Sequence, residues 1–257
     1  MAGPHPVQAR LRPPAIELAI VYLSINFPRK EMVEVFLVES SLTEVPDNLK
    51  SDRIKKSYVK IYGKFYDVLD IQALPPKDRV SIGPKEGRPD IVHRSVLSVT
   101  DHPLFLMGHV NFYVHTLDDR IFRFSKEVRP PRNYIRFLGL MSKLLDEGWV
   151  GPRRDEALIW EVDGKLSSLI TGEVILLEES GEFLEPLTYL SGKVRRGEVS
   201  VIVGGFPQGT FSEEIVSLAK SRLSLYKGAL SSSAALSMIL TYIYHLEVWG
   251  GHEEKES

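Results

Sequence analysis

From Gly172 onward the chain alternates short apolar runs with loops, and few folds accept that pattern. Val174 to Leu177 is one run, followed by Glu178-Glu-Ser-Gly181. Val199 to Val203 is the next, followed by Gly204-Gly-Phe-Pro-Gln-Gly209. Leu223 to Tyr226 is the third, and an apolar run from Ala229 to Trp249 reads as a buried helix that packs against a partner chain. Strands so short and so apolar are buried on both faces, which is how parallel sheets read. Alternating with helices, they predict an α/β fold with parallel strands. Ligands bind such sheets at the carboxyl ends of the strands. Three loops at strand ends therefore converge on one predicted site. The three glycines of 204–209 allow close backbone approach to a flat ligand, although a tight turn needs the same residues. The loop has the glycine spacing of a phosphate loop but no lysine before Thr210, which argues against a Walker-type nucleotide site.

Upstream, residues 1–30 read as an N-terminal extension, with four prolines by position 14 that argue against regular structure. A strand is predicted at Met32 to Val38, then a helix cap at Glu39-Ser-Ser41 and helical patterns from Leu42 to Leu69. Pro75, Pro76, Gly83, Pro84 and Gly87 mark a loop, where binding residues tend to sit. A helix from Pro89 to Thr100 follows, because proline suits the first turn. Strands at Asn111 to Leu117 and Arg120 to Phe124 turn tightly at Asp118-Asp119.

Charge is informative in its distribution. The 257-residue chain has a net charge of −2. Between Lys85 and Arg136, nine basic residues face six acidic ones, and seven of the nine are arginine, whose planar fork suits phosphates and base edges. Taken alone, that count reads first as a solvated surface. Helical geometry gives it direction. In the predicted helix Asn133 to Leu145, Tyr134, Phe137, Leu138, Met141, Leu144 and Leu145 share one face, while Arg132, Arg136 and Lys143 share the opposite one. Arg129 extends that basic row. The sharpest short motif is Gly87-Arg-Pro-Asp90. An aspartate in a first helical turn complements the helix dipole. It would also orient Arg88 through a charge-assisted hydrogen bond.

Several chemistries find no support. The chain has no cysteine, so disulfides and thiolate metal sites are excluded. Its seven histidines form no H-x-x-x-H pair, so no metal is expected, and His93 and His115 read as structural. No serine nucleophile motif occurs. The N-terminus lacks the basic start and apolar run of a secretory signal. Ile16 to Phe27 is too short for a membrane span, and Ala229 to Trp249 is interrupted by polar residues. A cytoplasmic location is expected.

Five segments, in order along the chain, resemble one family. They are Gly87-Arg-Pro-Asp-Ile-Val-His93, Phe112-Tyr-Val-His-Thr116, Arg129-Pro-Pro-Arg-Asn-Tyr-Ile-Arg-Phe-Leu-Gly139, Ile202-Val-Gly-Gly-Phe-Pro-Gln-Gly209 and Leu223-Ser-Leu-Tyr226. The chain resembles the ribosome-biogenesis pseudouridine N(1)-methyltransferases, the nucleolar essential protein family of the SPOUT class, from about Met32 to the C-terminal helix. The resemblance implies a SPOUT-type sheet with a C-terminal trefoil knot and an inserted hairpin and helix region. Residues 31–257 would form one methyltransferase domain, with an RNA-binding insertion around 85–150, acting as a homodimer. It implies S-adenosylmethionine as methyl donor, contacted by Leu177, Glu178, Gly204, Gly209, Arg222, Leu223, Ser224, Leu225, Tyr226 and Lys227. Small-subunit ribosomal RNA would be held by Arg88, Arg129, Arg132 and Arg136, with Arg88 and Asp90 nearest the chemistry. A small-subunit ribosomal protein is a further expected partner. The family often has a hydroxyl residue where this chain has Glu178. The alternatives are a non-catalytic assembly factor that binds ribosomal RNA, and a SPOUT methyltransferase acting on another RNA.

Overall fold

Alternate side chains of the first strand enter two different cores. The computed structural model describes residues 32–191, 193–194 and 199–248; the extension read at 1–30 lies outside them. The strands are β1 (Val33–Ser40), β2 (Val110–Thr116), β3 (Ile121–Phe124), β4 (Trp149–Val150), β5 (Ile159–Glu161), β6 (Glu173–Phe183), β7 (Val199–Gly204) and β8 (Ser221–Ser224). The longer helices are α1 (Asp52–Tyr62), α2 (Pro89–Thr100), α3 (Tyr134–Glu147) and α4 (Ser232–Val248). All eight strands form one sheet in the order β4-β5-β3-β2-β1-β7-β6-β8. β2, β1, β7, β6 and β8 run parallel, as the apolar runs predict. β3, β5 and β4 continue the sheet antiparallel.

Every residue of β1 is buried. Val33, Val35 and Leu37 join the core under α2, α3 and α4. Phe36 and Val38 face the other way, against Tyr113, Leu176, Ile202 and Ile215. This is the two-residue period of a strand with helices on both faces. The α4 helix buries Ala235, Leu236, Ile239, Leu240 and Ile243 along one stripe. Among the described residues no helix is long and apolar enough to cross a membrane.

The sequence reading needs three corrections. Leu42 to Leu69 is not one helical region: only α1 and a short turn at Asp47–Leu49 are helical. Its ends pair with each other instead, since Leu69 N–H donates to Thr43 O at 2.9 Å and Val45 N–H donates to Asp67 Oδ1 at 3.0 Å. Glu39-Ser-Ser41 is not a helix cap but the bulged end of β1. Ser40 Oγ turns back to donate to Leu37 O at 2.9 Å. β6 runs past Gly181 to Phe183, because its far end pairs a second time with β8.

Candidate functional site

The parallel strands all end at one edge of the sheet, and close backbone packing builds that edge. Gly205 N–H donates to Val38 O at 2.8 Å, and Ser41 N–H donates to Gly205 O at 2.9 Å. A Cβ at Gly205 would stand 2.4 Å from Ser40 Oγ, so only glycine lets the loop lie against the end of β1. A Cβ at Gly181 would stand 2.5 Å from the carbonyl carbon of Leu223. The far part of β6 therefore lies against β8 backbone to backbone. Leu177, Leu223 and Leu225 are buried beneath these loops. Tyr226 is exposed, Ser224 Oγ donates to Tyr226 O at 2.6 Å, and Lys227 lies 5.4 Å from the Phe183 ring. Gly204 accepts a hydrogen bond from Ser232 Oγ at 2.6 Å, and Gly209 has φ +110°. Glu178 forms an ion pair with Arg222. The ten residues that the resemblance implies for the methyl donor thus lie in the middle of β6, along and just beyond β8, at the end of β7 and in the loop after it.

Arg88 reaches the same edge. Its N–H donates to Ser41 Oγ at 2.7 Å, which ties it through Ser41 to Gly205. Its guanidinium grips Asp90 with two hydrogen bonds, Nε to Oδ1 at 2.8 Å and Nη2 to Oδ2 at 3.0 Å. Arg94 Nη2 donates to the same Oδ2 at 2.9 Å. Burial pushes the Asp90 carboxyl up, but the Arg88 hydrogen bonds and the charges of Arg88 and Arg94 outweigh it and hold Asp90 below the usual carboxylate range. Hydrogen bonding to Asp90 likewise raises the Arg88 guanidinium above its ordinary value. The fork is therefore a fixed cation, preset before any ligand arrives.

A buried acid lies behind it. Asp70 is fully buried and accepts from Tyr62 Oη at 2.6 Å, Tyr134 Oη at 2.5 Å and Gln72 N–H at 2.9 Å. Burial, followed by the charge and hydrogen bond of Asp70, pushes the Tyr134 phenol well up. Both phenols stay protonated and donate. This network pins α3 against the segment that leads to Arg88. His93 does the same from α2, with Nε2 at 2.8 Å from Pro131 O and its ring 4.4 Å from that of Phe137.

The arginine row is on the outside of this corner. Asn133 caps α3 by accepting from Arg136 N–H at 3.0 Å, and Phe137, Leu138, Met141, Leu144 and Leu145 are buried, as the spacing predicts. Arg129, Arg132 and Arg136 are exposed. Arg132 pairs with Asp101 at 3.1 Å, while among the described residues Arg129 and Arg136 form no ion pair. Lys143 is exposed as well, pairs with Glu147 at 3.7 Å and lies 5.2 Å from the Trp149 ring.

Sequence reasoning missed Glu39, Lys85 and Asp70. Glu39 sits at the bulge of β1 with φ +48°, a conformation that costs a non-glycine residue on the order of 1–3 kcal/mol. An acid at the end of an apolar strand is the available signal, and beside two serines it resembles a cap.

Comparison with known proteins gives the family and the fold. A family model described as EMG1/NEP1 methyltransferase matches residues 35–243. The ribosomal RNA small subunit methyltransferase Nep1 of Staphylothermus marinus is 33% identical over 224 residues, 84% of this chain and 97% of that protein. The protein of the same name from Thermococcus kodakarensis is 29% identical over 221 residues, 81% of this chain and 96% of its own length. The crystal structure of Archaeoglobus fulgidus Nep1 bound to S-adenosylhomocysteine matches with a TM-score of 0.72 at 30% identity, covering 84% of this chain and 98% of that one.

Proposed function

We propose, from the fact that the chain belongs to the EMG1/NEP1 methyltransferase family, that it methylates ring nitrogen one of a pseudouridine in small-subunit ribosomal RNA. The observation that carries this reading is the Arg88–Asp90 fork, hung on Ser41 at the same sheet edge as the glycine loop. The named relatives are small-subunit ribosomal RNA methyltransferases, and the matched crystal structure holds S-adenosylhomocysteine.

The edge fits S-adenosylmethionine. Leu177, Leu223 and Leu225 offer an apolar floor, Gly204, packed against Phe206, and Gly209, beside Lys85, a backbone wall without side chains of its own, and Tyr226 and Lys227 an exposed polar rim. When bound there, the donor supplies an electrophilic methyl group. The attacking ring nitrogen must lose its proton, and negative charge grows on the ring as it does. Arg88 stands ready to steady that charge without reorganising, which is where a fixed cation acts most strongly. Asp90, held below the usual carboxylate range, is a poor proton acceptor. Its part is to orient Arg88, and the proton leaves to solvent. Holding base and donor in line supplies much of the remaining acceleration. Arg129, Arg132 and Arg136 grip phosphates beside the target.

In this reading residues 31–257 act as one domain in the cytoplasm. The close backbone approach of Gly181 to Leu223 supports the trefoil knot, and the half-buried apolar flank of α4 supports a homodimer. A small-subunit ribosomal protein would dock during assembly. The test is methyl transfer from labelled S-adenosylmethionine to two hairpin RNAs that differ only in uridine or pseudouridine. Transfer to the pseudouridine hairpin alone is expected. Arg88→Ala should abolish it while S-adenosylhomocysteine still binds. Tight binding of either hairpin without transfer would leave an assembly factor, and transfer to uridine would sink the proposed target.

A further inference from the structure

Glu39 is buried, strained and fully engaged, yet none of the roles above uses it. Its carboxylate joins two segments that the proposed function assigns to different ligands. Oε1 accepts the Ser212 N–H at 2.9 Å, at the far end of the glycine loop. Oε2 accepts Lys85 Nζ at 2.5 Å, three residues before Arg88. Lys85 in turn lies across that loop, 4.6 Å from the Phe206 ring, and a Cβ at Gly209 would stand 3.5 Å from its Cε. Glu39 N–H also points to His115 Nδ1 at 3.4 Å, so the bulge is held from β2 as well.

A buried ion pair is weak evidence for a stabilising role, because an apolar pair of similar volume serves stability as well or better. Its directionality is what an apolar pair could not supply. A shift of the glycine loop disturbs both members of the pair, since Lys85 lies over the Phe206 ring and Glu39 accepts the Ser212 N–H. The Arg88 segment cannot shift freely either, since Ser41 links it to Gly205. The glycine loop and the Arg88 loop are therefore joined at two points, one through the hydrogen bonds of Ser41, the other ionic.

We propose that Glu39 and Lys85 are positioning residues that couple seating of the methyl donor in the glycine loop to seating of the target base at Arg88, so that the two ligands bind cooperatively. This rests on the methyltransferase reading. A loop ordered by one ligand needs less ordering for the second, which tightens both.

The test uses the full chain, S-adenosylhomocysteine and a pseudouridine hairpin RNA, with calorimetric affinities measured for each alone and with the other saturating. In the wild type each ligand should tighten the other by the same factor, about 10-fold, since such coupling is reciprocal. Lys85→Met and Glu39→Gln should keep each separate affinity within about 3-fold of wild type and bring the coupling factor close to one. Lys85→Arg, which keeps the cation, should retain coupling. Lys85→Met carries the test should Glu39→Gln not fold. Variants that melt earlier but keep wild-type coupling would show a purely structural pair and overturn the inference. So would a wild type without coupling. A wild type that binds neither ligand would bring down the methyltransferase reading itself, and this inference with it.

Discussion

Gly87→Ala is the sharpest perturbation of the site that touches no proposed ligand. Gly87 is buried, has φ +69° and immediately precedes Arg88. A Cβ there would lie 2.2 Å from Ile71 Cγ2 and 3.3 Å from Ile71 N. The left-handed backbone alone costs an alanine about 1 kcal/mol. Overpacking adds about 2 kcal/mol, because the two backbones cannot simply part: Ile71 N–H donates to Gly87 O at 2.9 Å. The total is about 3 kcal/mol, read as a lower midpoint in urea denaturation. Ile71→Ala removes the obstructing methyl, so the double variant should recover about 2 kcal/mol relative to additivity. Turnover should fall on the order of 100-fold even where the variant is folded, because Arg88 moves with its neighbour. A Gly87→Ala protein within about 0.5 kcal/mol of wild type, or single effects that simply add, would refute this reasoning.

Two further outcomes are expected. Replacing Arg129, Arg132 and Arg136 together with glutamine should weaken RNA binding at low salt and reduce the slope of log affinity against log salt by about 2, near 0.7 per phosphate contact on a single strand; the check is fluorescence anisotropy at several salt concentrations, and an unchanged slope would move the RNA elsewhere. Glu34 in β1 is buried, with Oε1 accepting from Asn111 Nδ2 at 2.8 Å. Burial raises its pKa above the ordinary value against the pull of Asn111 and Arg123. The folded state therefore holds this proton more tightly than the unfolded state, and that stabilisation is present below the unfolded pKa and lost as pH rises through the folded one. Glu34→Gln should accordingly raise the melting temperature at pH 7 and gain little at pH 4.

The elements that read clearly are those with a strong local reason to form. Pro89 opens α2, Asn133 caps α3, and Gly148 with φ +75° ends it. The parallel strands follow from runs too apolar to face water on either side. What could not be read depends on distant backbone. β4 and β5 are only two and three residues long and owe their pairing to Trp149 opposite Trp160 and to β3. Asp70 looks like any loop acid until Tyr62 and Tyr134 close over it from two helices. Glu39 resembles a cap because its chain neighbours are serines, yet its partners, Lys85 and Ser212, lie 46 and 173 positions away. The arginine row falls between these cases: its helix face was legible, but the pairing of Arg132 with Asp101 and of Lys143 with Glu147 was not.

The placement of β1 has a consequence for how the protein is made. β1 is an early segment of the chain, but one of its neighbours is β7, with Val35 opposite Val201. On the ribosome, an apolar strand with an open row of amide and carbonyl groups must wait until most of the chain has been synthesised. Such distant pairing slows folding. An uncovered edge of this kind also recruits other chains. Truncations that stop before Val199 should therefore form inclusion bodies rather than smaller folded enzymes, and yield of the intact protein should respond to chaperone supply more than to changes on its surface.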